Sequence, residues 1–192
     1  ICLATAVAID MSKATNNKNW TSRAALLTPM AKVFGTETGI EVSNLGIQIH
    51  GGMGFVEETG AAQFWRDVRV TSIYEGTNGI QAIDLVSRKL MDGGQAVFEL
   101  INEINDLCIN TPNELIKLSS ELKIASDTLS EATRWMVMQE NLNERLAGAT
   151  PYLESFALVL GAFFHLRGAI ADDKTQSRVK LASFYINHIL PS

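Results

Sequence analysis

The sequence has little of what disulfide-bonded, metal-binding or nucleic-acid-binding proteins need. Two of its 192 residues are cysteine, Cys2 and Cys108, and three are histidine. The cysteines lie far apart without partners at metal-ligand spacing, which argues against a disulfide framework or a metal centre and favours a reducing compartment. The net charge is −5, and no cluster of lysine or arginine stands out. We therefore expect a cytoplasmic protein that binds neither metal nor nucleic acid.

Long hydrophobic runs are also missing. A membrane span needs about 18 or more consecutive apolar residues, and no stretch of the sequence reaches that length. The apolar opening over residues 1–9 has no basic residue before it, and Asp10 follows at once, unlike a signal peptide. Because an initiating methionine is absent as well, we expect a piece of a longer polypeptide that begins inside a helix. Its 46% hydrophobic and 19% charged residues are typical of a folded protein.

Glycine divides the chain into two halves, with 11 of the 14 glycines in residues 1–94. The sequence of the first half predicts four helices, over residues 1–15, from about Thr28-Pro29 to Ile49, over about 59–68 and over about 78–91. Thr28-Pro29 either opens or kinks the second of these helices. The short apolar run at Val68, Val70 and Ile73 lacks partners, so almost no sheet is expected.

The second half predicts a bundle of long helices. Thr111-Pro112-Asn113-Glu114 has the pattern of a helix start, and Gly148 marks the expected end of that helix. Thr150-Pro151 opens the next helix, and further helices are expected over about 97–108 and 176–189. Apolar residues at steps of three and four line the first of these helices: Leu115, Leu118, Leu122, Ala125, Leu129, Ala132 and Met136. Such spacing predicts four antiparallel helices that bury their faces together.

A glycine-rich segment follows the second helix. Its sequence is Gln48-Ile49-His50-Gly51-Gly52-Met53-Gly54-Phe55. The glycines allow positive φ and close approach by another molecule, but they serve a helix C-cap and turn equally well. The spacing does not match a dinucleotide fingerprint. His50 has no second ligand nearby, which favours a packed or surface histidine over a ligand or proton shuttle.

A second irregular segment contains Glu75 between an aromatic residue and a glycine. Its sequence runs Ile73-Tyr74-Glu75-Gly76-Thr77-Asn78-Gly79-Ile80-Gln81, just ahead of a helix that Thr77 can cap. Glu75 either complements the positive end of that helix or acts as a base among apolar neighbours, with Gly76 letting a substrate lie against the backbone. Arg66 and Asp67, slightly upstream, are interpreted as a structural ion pair with neighbouring helices.

Taken together, these segments resemble the C-terminal helical domain of acyl-CoA dehydrogenases over residues 1–92. Residues 93–192 resemble an additional helical domain found in one branch of that family, partly through Leu146-Ala147-Gly148-Ala149-Thr150-Pro151-Tyr152-Leu153. That branch includes enzymes for fatty acyl-CoA and for sulfur-containing short acyl-CoA. The resemblance implies an all-α fold in which an up-and-down helical bundle, residues 1–92, is followed by a second helical bundle, residues 93–192.

The resemblance also implies the chemistry, which is FAD-dependent α,β-dehydrogenation of an acyl-CoA thioester. Glu75 would be the base that removes the α-proton, while Tyr74 and Gly76 would line the acyl-thioester position. By the same resemblance, Thr77 and Asn78 would approach the flavin of FAD. Gln48, Gly51 and Gly52 would contact the FAD of a neighbouring subunit. That last implication requires a homodimer or homotetramer. Family members often carry Gln at the position of Gly79.

Two domains of a complete family member, an N-terminal helical domain and a middle β-domain, are absent from this sequence. We therefore expect the chain alone to be inactive and to bind FAD weakly, whereas a complete enzyme would pass electrons to an acceptor resembling electron-transfer flavoprotein. Three alternatives stay open: an acyl-CoA oxidase, a DNA-associated relative of the same fold, and a non-catalytic helical interaction or scaffold module. The enzymatic interpretation requires the Glu75 side chain to face a cavity instead of bulk solvent or a permanent guanidinium partner.

Overall fold

The computed structural model describes residues 1–172 and 176–191, and no strand occurs in those ranges. The fold is all-α, as predicted. In chain order the α-helices are α1 (Cys2–Thr15), α2 (Lys18–His50), α3 (Gly52–Phe55), α4 (Ala61–Arg69), α5 (Asn78–Asp84), α6 (Gln95–Ile109), α7 (Ile116–Met138), α8 (Leu142–Ala147), α9 (Ala149–Ile170) and α10 (Ser177–Phe184). Short 3₁₀ turns occupy Glu57–Thr59, Val70–Ser72 and Asn113–Leu115, and π-helical turns occupy Leu85–Lys89 and Tyr185–Ile189.

Helix α2 begins earlier than the sequence predicted. Asn17 caps it by accepting a hydrogen bond from the Asn19 amide (2.9 Å), and the helix continues through Pro29. Of the two alternatives given for Thr28-Pro29, the one in which it opens a helix was therefore wrong. Thr28 donates its hydroxyl to the Ala24 carbonyl one turn earlier (2.7 Å). A proline inside a helix removes one backbone hydrogen bond, and the buried apolar face of α2 outweighs that loss.

Two other predicted boundaries in the second half were wrong. Thr111 does not cap a helix, because its hydroxyl donates to the Leu107 carbonyl (2.7 Å) and Pro112 has extended ψ, so α7 starts only at Ile116. The predicted end at Gly148 was also late. Helix α7 ends at Met138, and Asn141 caps the separate short helix α8 by accepting from the Asn143 amide (3.0 Å).

One hydrophobic core runs through both halves of the chain. Leu27 and Met30 on α2 and Leu85 after α5 are fully buried in the same cluster as Phe156 and Leu160 on α9. Helix α9 contacts α2, α5, α7 and α10, so it lies between the two halves. The division into domains at residues 1–92 and 93–192, whose last position lies outside the described residues, stays a prediction.

Helix α9 is the one helix of the described residues whose length and composition would allow it to cross a membrane. Its most apolar window has a mean hydropathy of 1.4, and 56% of that window is buried inside the protein. A core helix of a soluble protein meets the same criteria. Its burial against α2, α5 and α7 accounts for its apolar composition here.

Buried tyrosines should make the fold sensitive to alkaline pH. The Tyr152 hydroxyl shares a hydrogen bond with the buried Thr133 hydroxyl (2.9 Å), and burial raises the pKa of Tyr152. Burial also raises the pKa of Tyr185 to about 12. An unfolded tyrosine ionises near pH 10, so the stabilisation from each neutral buried phenol is complete below pH 10. It is lost as the pH rises from 10 toward the folded pKa.

We therefore expect the free energy of unfolding to fall more steeply between pH 9 and pH 11 in the wild type than in the Tyr185→Phe variant. Urea unfolding at both pH values would measure the difference. Tyr74→Phe is the matched control, because Tyr74 is about half exposed. An identical pH dependence in the wild type and Tyr185→Phe would contradict this prediction.

Candidate active site

The loop that carries Glu75 has an unusual backbone. Glu75 has φ +56° and Gly76 has φ +86°, so two successive residues adopt the left-handed conformation. That region is uncommon for a residue other than glycine and costs about 1–3 kcal/mol. The Gln81 side-chain amide donates to the Glu75 carbonyl oxygen (3.1 Å), and the Thr77 hydroxyl accepts from the Ile80 amide (3.4 Å). Hydrogen bonds from the first turns of α5 thus hold this strained loop.

Glu75 lines an open cleft of about 450 Å³ between α2 and α5. Apart from Glu75 and Gly76, the lining consists of Ala25, Thr28 and Pro29 from α2, with Ile80, Gln81, Asp84, Arg88 and Lys89 from α5 and the π-helical turn. The Glu75 side chain is exposed, and within the described residues its carboxylate forms no hydrogen bond or ion pair.

The surroundings of Glu75 differ from the apolar environment that the sequence suggested. Besides Glu75, three of the lining residues are charged, and the two basic ones pair with the acidic one. Arg88 lies 2.7 Å from Asp84, and Lys89 lies 3.7 Å from the same carboxylate. The Arg88 guanidinium is therefore paired with Asp84 and not with Glu75. Tyr74 is 52% exposed, so it does not enclose the carboxylate. Within this chain the apolar enclosure of Glu75 is not present.

Helix α2 binds the side chain of Asn78, the residue that follows the loop. The Lys32 ammonium donates to the Asn78 side-chain oxygen (2.6 Å), and the Asn78 amide nitrogen donates to Thr36 (3.0 Å) and to Glu37. We call Lys32, Thr36, Glu37 and Asn78 the Asn78 clasp. Both polar ends of the Asn78 side chain are engaged within the chain, so a contact of Asn78 with a cofactor would use its backbone or replace one of these bonds.

The residues of α2 that form this clasp carry no recognisable signal in the sequence. Lys32, Thr36 and Glu37 fall on one face of the helix, and that spacing is visible in the sequence. Spacing alone does not distinguish them from a solvated polar face. Their partner lies more than forty residues away, and only the packing of α5 against α2 brings it there.

The glycine-rich segment lies at the other end of α2. Gly51 has φ +61°, and its amide donates to the Gln48 carbonyl (3.0 Å), which ends the helix as a glycine C-cap does. Gln48, Gly51 and Gly52 are exposed, and a Cβ added at either glycine would meet nothing within 4 Å. At 1.5 Å per residue, Gln48 lies about 18 Å along α2 from Thr36 in the Asn78 clasp. The two groups of predicted cofactor-binding residues therefore lie well apart along the length of α2.

The remaining polar residues singled out in the sequence have local roles. The ring of His50 is exposed and bonds through Nδ1 to the Gly46 carbonyl oxygen (2.8 Å). Arg66 pairs with Glu57 (3.1 Å), and Asp67 accepts a hydrogen bond from Gln63 (2.6 Å). No group of histidine, cysteine, aspartate or glutamate in the described residues has the geometry of a metal site.

A larger, open groove lies away from all these residues. It has a volume of about 840 Å³, lies between α7 and α9, and contains none of the predicted site residues. Its walls are mainly apolar and include Trp135, Met136 and Tyr152. The cleft at Glu75 is smaller, but it combines a free carboxylate with accessible glycine backbone.

Comparison with known families identifies both halves of the chain. Residues 2–91 match the family model described as "Acyl-CoA dehydrogenase, C-terminal domain", and residues 100–192 match the one described as "Acetyl-CoA dehydrogenase C-terminal like". The chain belongs to the acyl-CoA dehydrogenase family. The resemblance proposed from Gln48–Phe55 and Ile73–Gln81 is thereby confirmed.

Individual relatives in the acyl-CoA dehydrogenase family agree with this result. A 3-methylmercaptopropionyl-CoA dehydrogenase from Ruegeria pomeroyi is 40% identical over 142 residues, which cover 69% of this chain and 24% of the relative. A butyryl-CoA dehydrogenase from Syntrophomonas wolfei is 26% identical over 205 residues, which cover 95% of this chain and 34% of the relative. The chain thus spans about a quarter to a third of the length of these acyl-CoA dehydrogenases.

A solved structure of the acyl-CoA dehydrogenase family supports the fold across both halves. The crystal structure of Caenorhabditis elegans ACDH-11 in complex with C11-CoA superposes with a TM-score of 0.83 and covers 96% of this chain. The match covers 32% of the ACDH-11 chain at 21% sequence identity. Such a likeness shows that the helices of the two proteins share one arrangement.

Proposed function

We propose that this chain is the C-terminal portion of an FAD-dependent acyl-CoA dehydrogenase and that Glu75 removes the α-proton of the acyl-CoA thioester. The observation that carries the proposal is a carboxylate that forms no hydrogen bond or ion pair within the described residues, held in a strained left-handed conformation beside Gly76. Strain of this kind clusters at functional sites, where the surrounding structure maintains it. A scaffold protein would have no need of it.

The chemistry needs a base and a fixed donor for the developing charge. Removing the proton from the α-carbon of a thioester places negative charge on the carbonyl oxygen, which backbone N–H groups stabilise when they are already oriented. Gly76 has no side chain to keep a substrate from its backbone. We assign Glu75 the role of base and Tyr74 and Gly76 the acyl-thioester position. FAD, when bound, supplies the acceptor for the β-hydride.

The residues assigned to FAD are compatible with that group on chemical grounds. Gln48 and Thr77 offer neutral hydrogen-bonding groups, and Gly51 and Gly52 present open backbone with no side chain in the way. We assign Thr77 and Asn78 to one FAD and Gln48, Gly51 and Gly52 to the FAD of a neighbouring subunit, and the separation of about 18 Å along α2 between Gln48 and Thr36 of the Asn78 clasp is compatible with this. This assignment makes the enzyme a homodimer or homotetramer.

The exposed surfaces predict weak cofactor binding by the chain alone. Gln48, Gly51, Gly52 and Thr77 are exposed and each group forms only one side of a site. We expect no stoichiometric complex when the 192-residue chain is incubated with excess FAD and then separated from free FAD by gel filtration. The absorbance spectrum of the protein peak measures the result, with lysozyme as the protein control. Retention of one FAD per chain would contradict the prediction.

Exchange of the α-protons of an acyl-CoA with deuterated water tests the function itself. The complete enzyme with Glu75→Gln should lose the exchange while keeping its fold, and a non-catalytic scaffold would show no effect of the substitution.

We further propose that the complete enzyme is cytoplasmic. It would pass its electrons to an acceptor resembling electron-transfer flavoprotein.

A further inference from the structure

A half-buried lysine is the least expected member of the Asn78 clasp. Lys32 is partly buried on α2, and burial lowers its pKa, while the nearby carboxylates of Glu37 and Glu75 raise it. Burying part of an ammonium costs free energy unless it is paired. Here its hydrogen bond goes to the neutral oxygen of Asn78 (2.6 Å), in the turn that follows Glu75.

The position of Asn78 connects this lysine to the strained loop. Asn78 is the first residue of α5 and comes directly after the loop of Glu75, Gly76 and Thr77. The Asn78 clasp therefore fixes the residue that follows the loop. The Gln81 side-chain amide fixes the loop at its first residue, through the Glu75 carbonyl. A left-handed glutamate relaxes to an ordinary conformation unless such contacts maintain it.

We propose that Lys32 is a positioning residue for Glu75: its ammonium holds Asn78 and, through Asn78, keeps Glu75 and Gly76 left-handed at the mouth of the cleft. The effect of Lys32 on catalysis rests on the proposed function of Glu75. Its effect on the conformation of the loop does not. This role gives Asn78 a structural task besides its assigned contact with FAD. It also places a positive charge beside the carboxylate that we assign as the base.

The core of α5 does not depend on this clasp. Ala82, together with Leu85 and Val86 of the following turn, is buried in the hydrophobic core, and the Thr77 hydroxyl caps the helix. Loss of the Lys32 ammonium should therefore leave α5 folded and release only the loop before it. This separation between fold and loop makes the role of Lys32 testable.

Nuclear magnetic resonance of the 192-residue chain measures the state of the loop. A strong intraresidue NOE between the amide and Hα of Glu75 marks its positive φ. We expect Lys32→Met to weaken this NOE and to shift the side-chain amide signals of both Asn78 and Gln81, because these two amides contact Lys32 and the Glu75 carbonyl, respectively. Lys32→Arg should restore all three signals.

The matched control is Lys123→Met, which removes an ammonium paired with Asp127 on the distant helix α7. It should leave the loop signals unchanged. If Lys32→Met does not fold, Thr36→Val removes another bond of the Asn78 clasp and takes its place. A wild-type NOE at Glu75 and unshifted Asn78 signals in the folded variant would overturn the positioning role.

Kinetics of the complete enzyme separate this inference from the proposed function. Displacing the base reduces the stabilisation of the transition state more than it reduces substrate binding. Lys32→Met should therefore lower kcat about tenfold at unchanged KM, and Lys32→Arg should restore kcat. An unchanged kcat in a variant whose loop is released would overturn the positioning role. Normal proton exchange by Glu75→Gln would instead remove the proposed function and leave the loop result standing.

Discussion

Replacing Glu75 by glutamine should lower the rate of α-proton exchange by a factor of about 10²–10⁴, the usual contribution of a positioned general base. Glutamine has nearly the same shape as glutamate but cannot accept the proton. The Glu75 carboxylate forms no hydrogen bond or ion pair among the described residues, so its replacement breaks no such bond there. The loss should therefore appear in exchange and turnover without a loss of stability.

The control for this substitution is Glu58→Gln, which changes an exposed carboxylate in the 3₁₀ turn before α4. Thermal unfolding of both variants would show that each keeps its fold. Deuterium incorporation into an acyl-CoA, followed by mass spectrometry, measures the exchange rate. Equal rates in the wild type and Glu75→Gln would remove Glu75 from the mechanism, whereas absence of exchange in the wild type would favour the scaffold alternative.

Gly161→Ala should be the most destabilising glycine-to-alanine change in the second half of the chain. A Cβ at this position of α9 would lie 2.1 Å from the Tyr185 hydroxyl oxygen and 2.5 Å from the adjoining ring carbon. Tyr185 is buried, and its hydroxyl donates to the Leu158 carbonyl (3.3 Å), so the ring cannot simply move aside. Overpacking of this kind costs about 1–3 kcal/mol, which exceeds the helix propensity that alanine gains over glycine.

Gly168→Ala is the matched control on the same helix. Its added Cβ would meet only the flexible end of Arg178, at 3.4 Å, so we expect this variant to be slightly more stable than the wild type by helix propensity. Urea unfolding measures both variants. Tyr185→Leu combined with Gly161→Ala should cost less than the sum of the single changes, because it removes the ring that clashes. Additive effects would contradict this account.

The sequence predicted the all-helical architecture because apolar residues at steps of three and four recur from Leu115 to Met136, and the structure buries Leu118, Leu122 and Leu129 of that row. Helix boundaries were harder to predict. Proline after threonine looks like a helix start at both Thr28 and Thr111, yet tertiary packing carried α2 through Pro29 and delayed α7 to Ile116. Local signals do not contain the packing free energy that decides such cases.

The candidate site was predictable only in part. The segment from Ile73 to Gln81 located Glu75 and the Thr77 cap, and both occur as expected at the start of α5. The contribution of Lys32 was not predictable, because its bond to Asn78 depends on how α5 packs against α2. The left-handed backbone of Glu75 was equally hidden, since such a conformation is characteristic of glycine and not of glutamate.

Helix α9 limits how this polypeptide can be recombined. It packs against α2 and α5 as well as against α7 and α10, and Arg23 on α2 is paired with Glu103 on α6 across the same junction. A chimera that took residues 100–192 from another family member would bring a foreign surface against α2 and leave holes or overlaps there. Exchange of segments at this junction, in evolution or in the laboratory, would therefore require compensating changes on both sides of it.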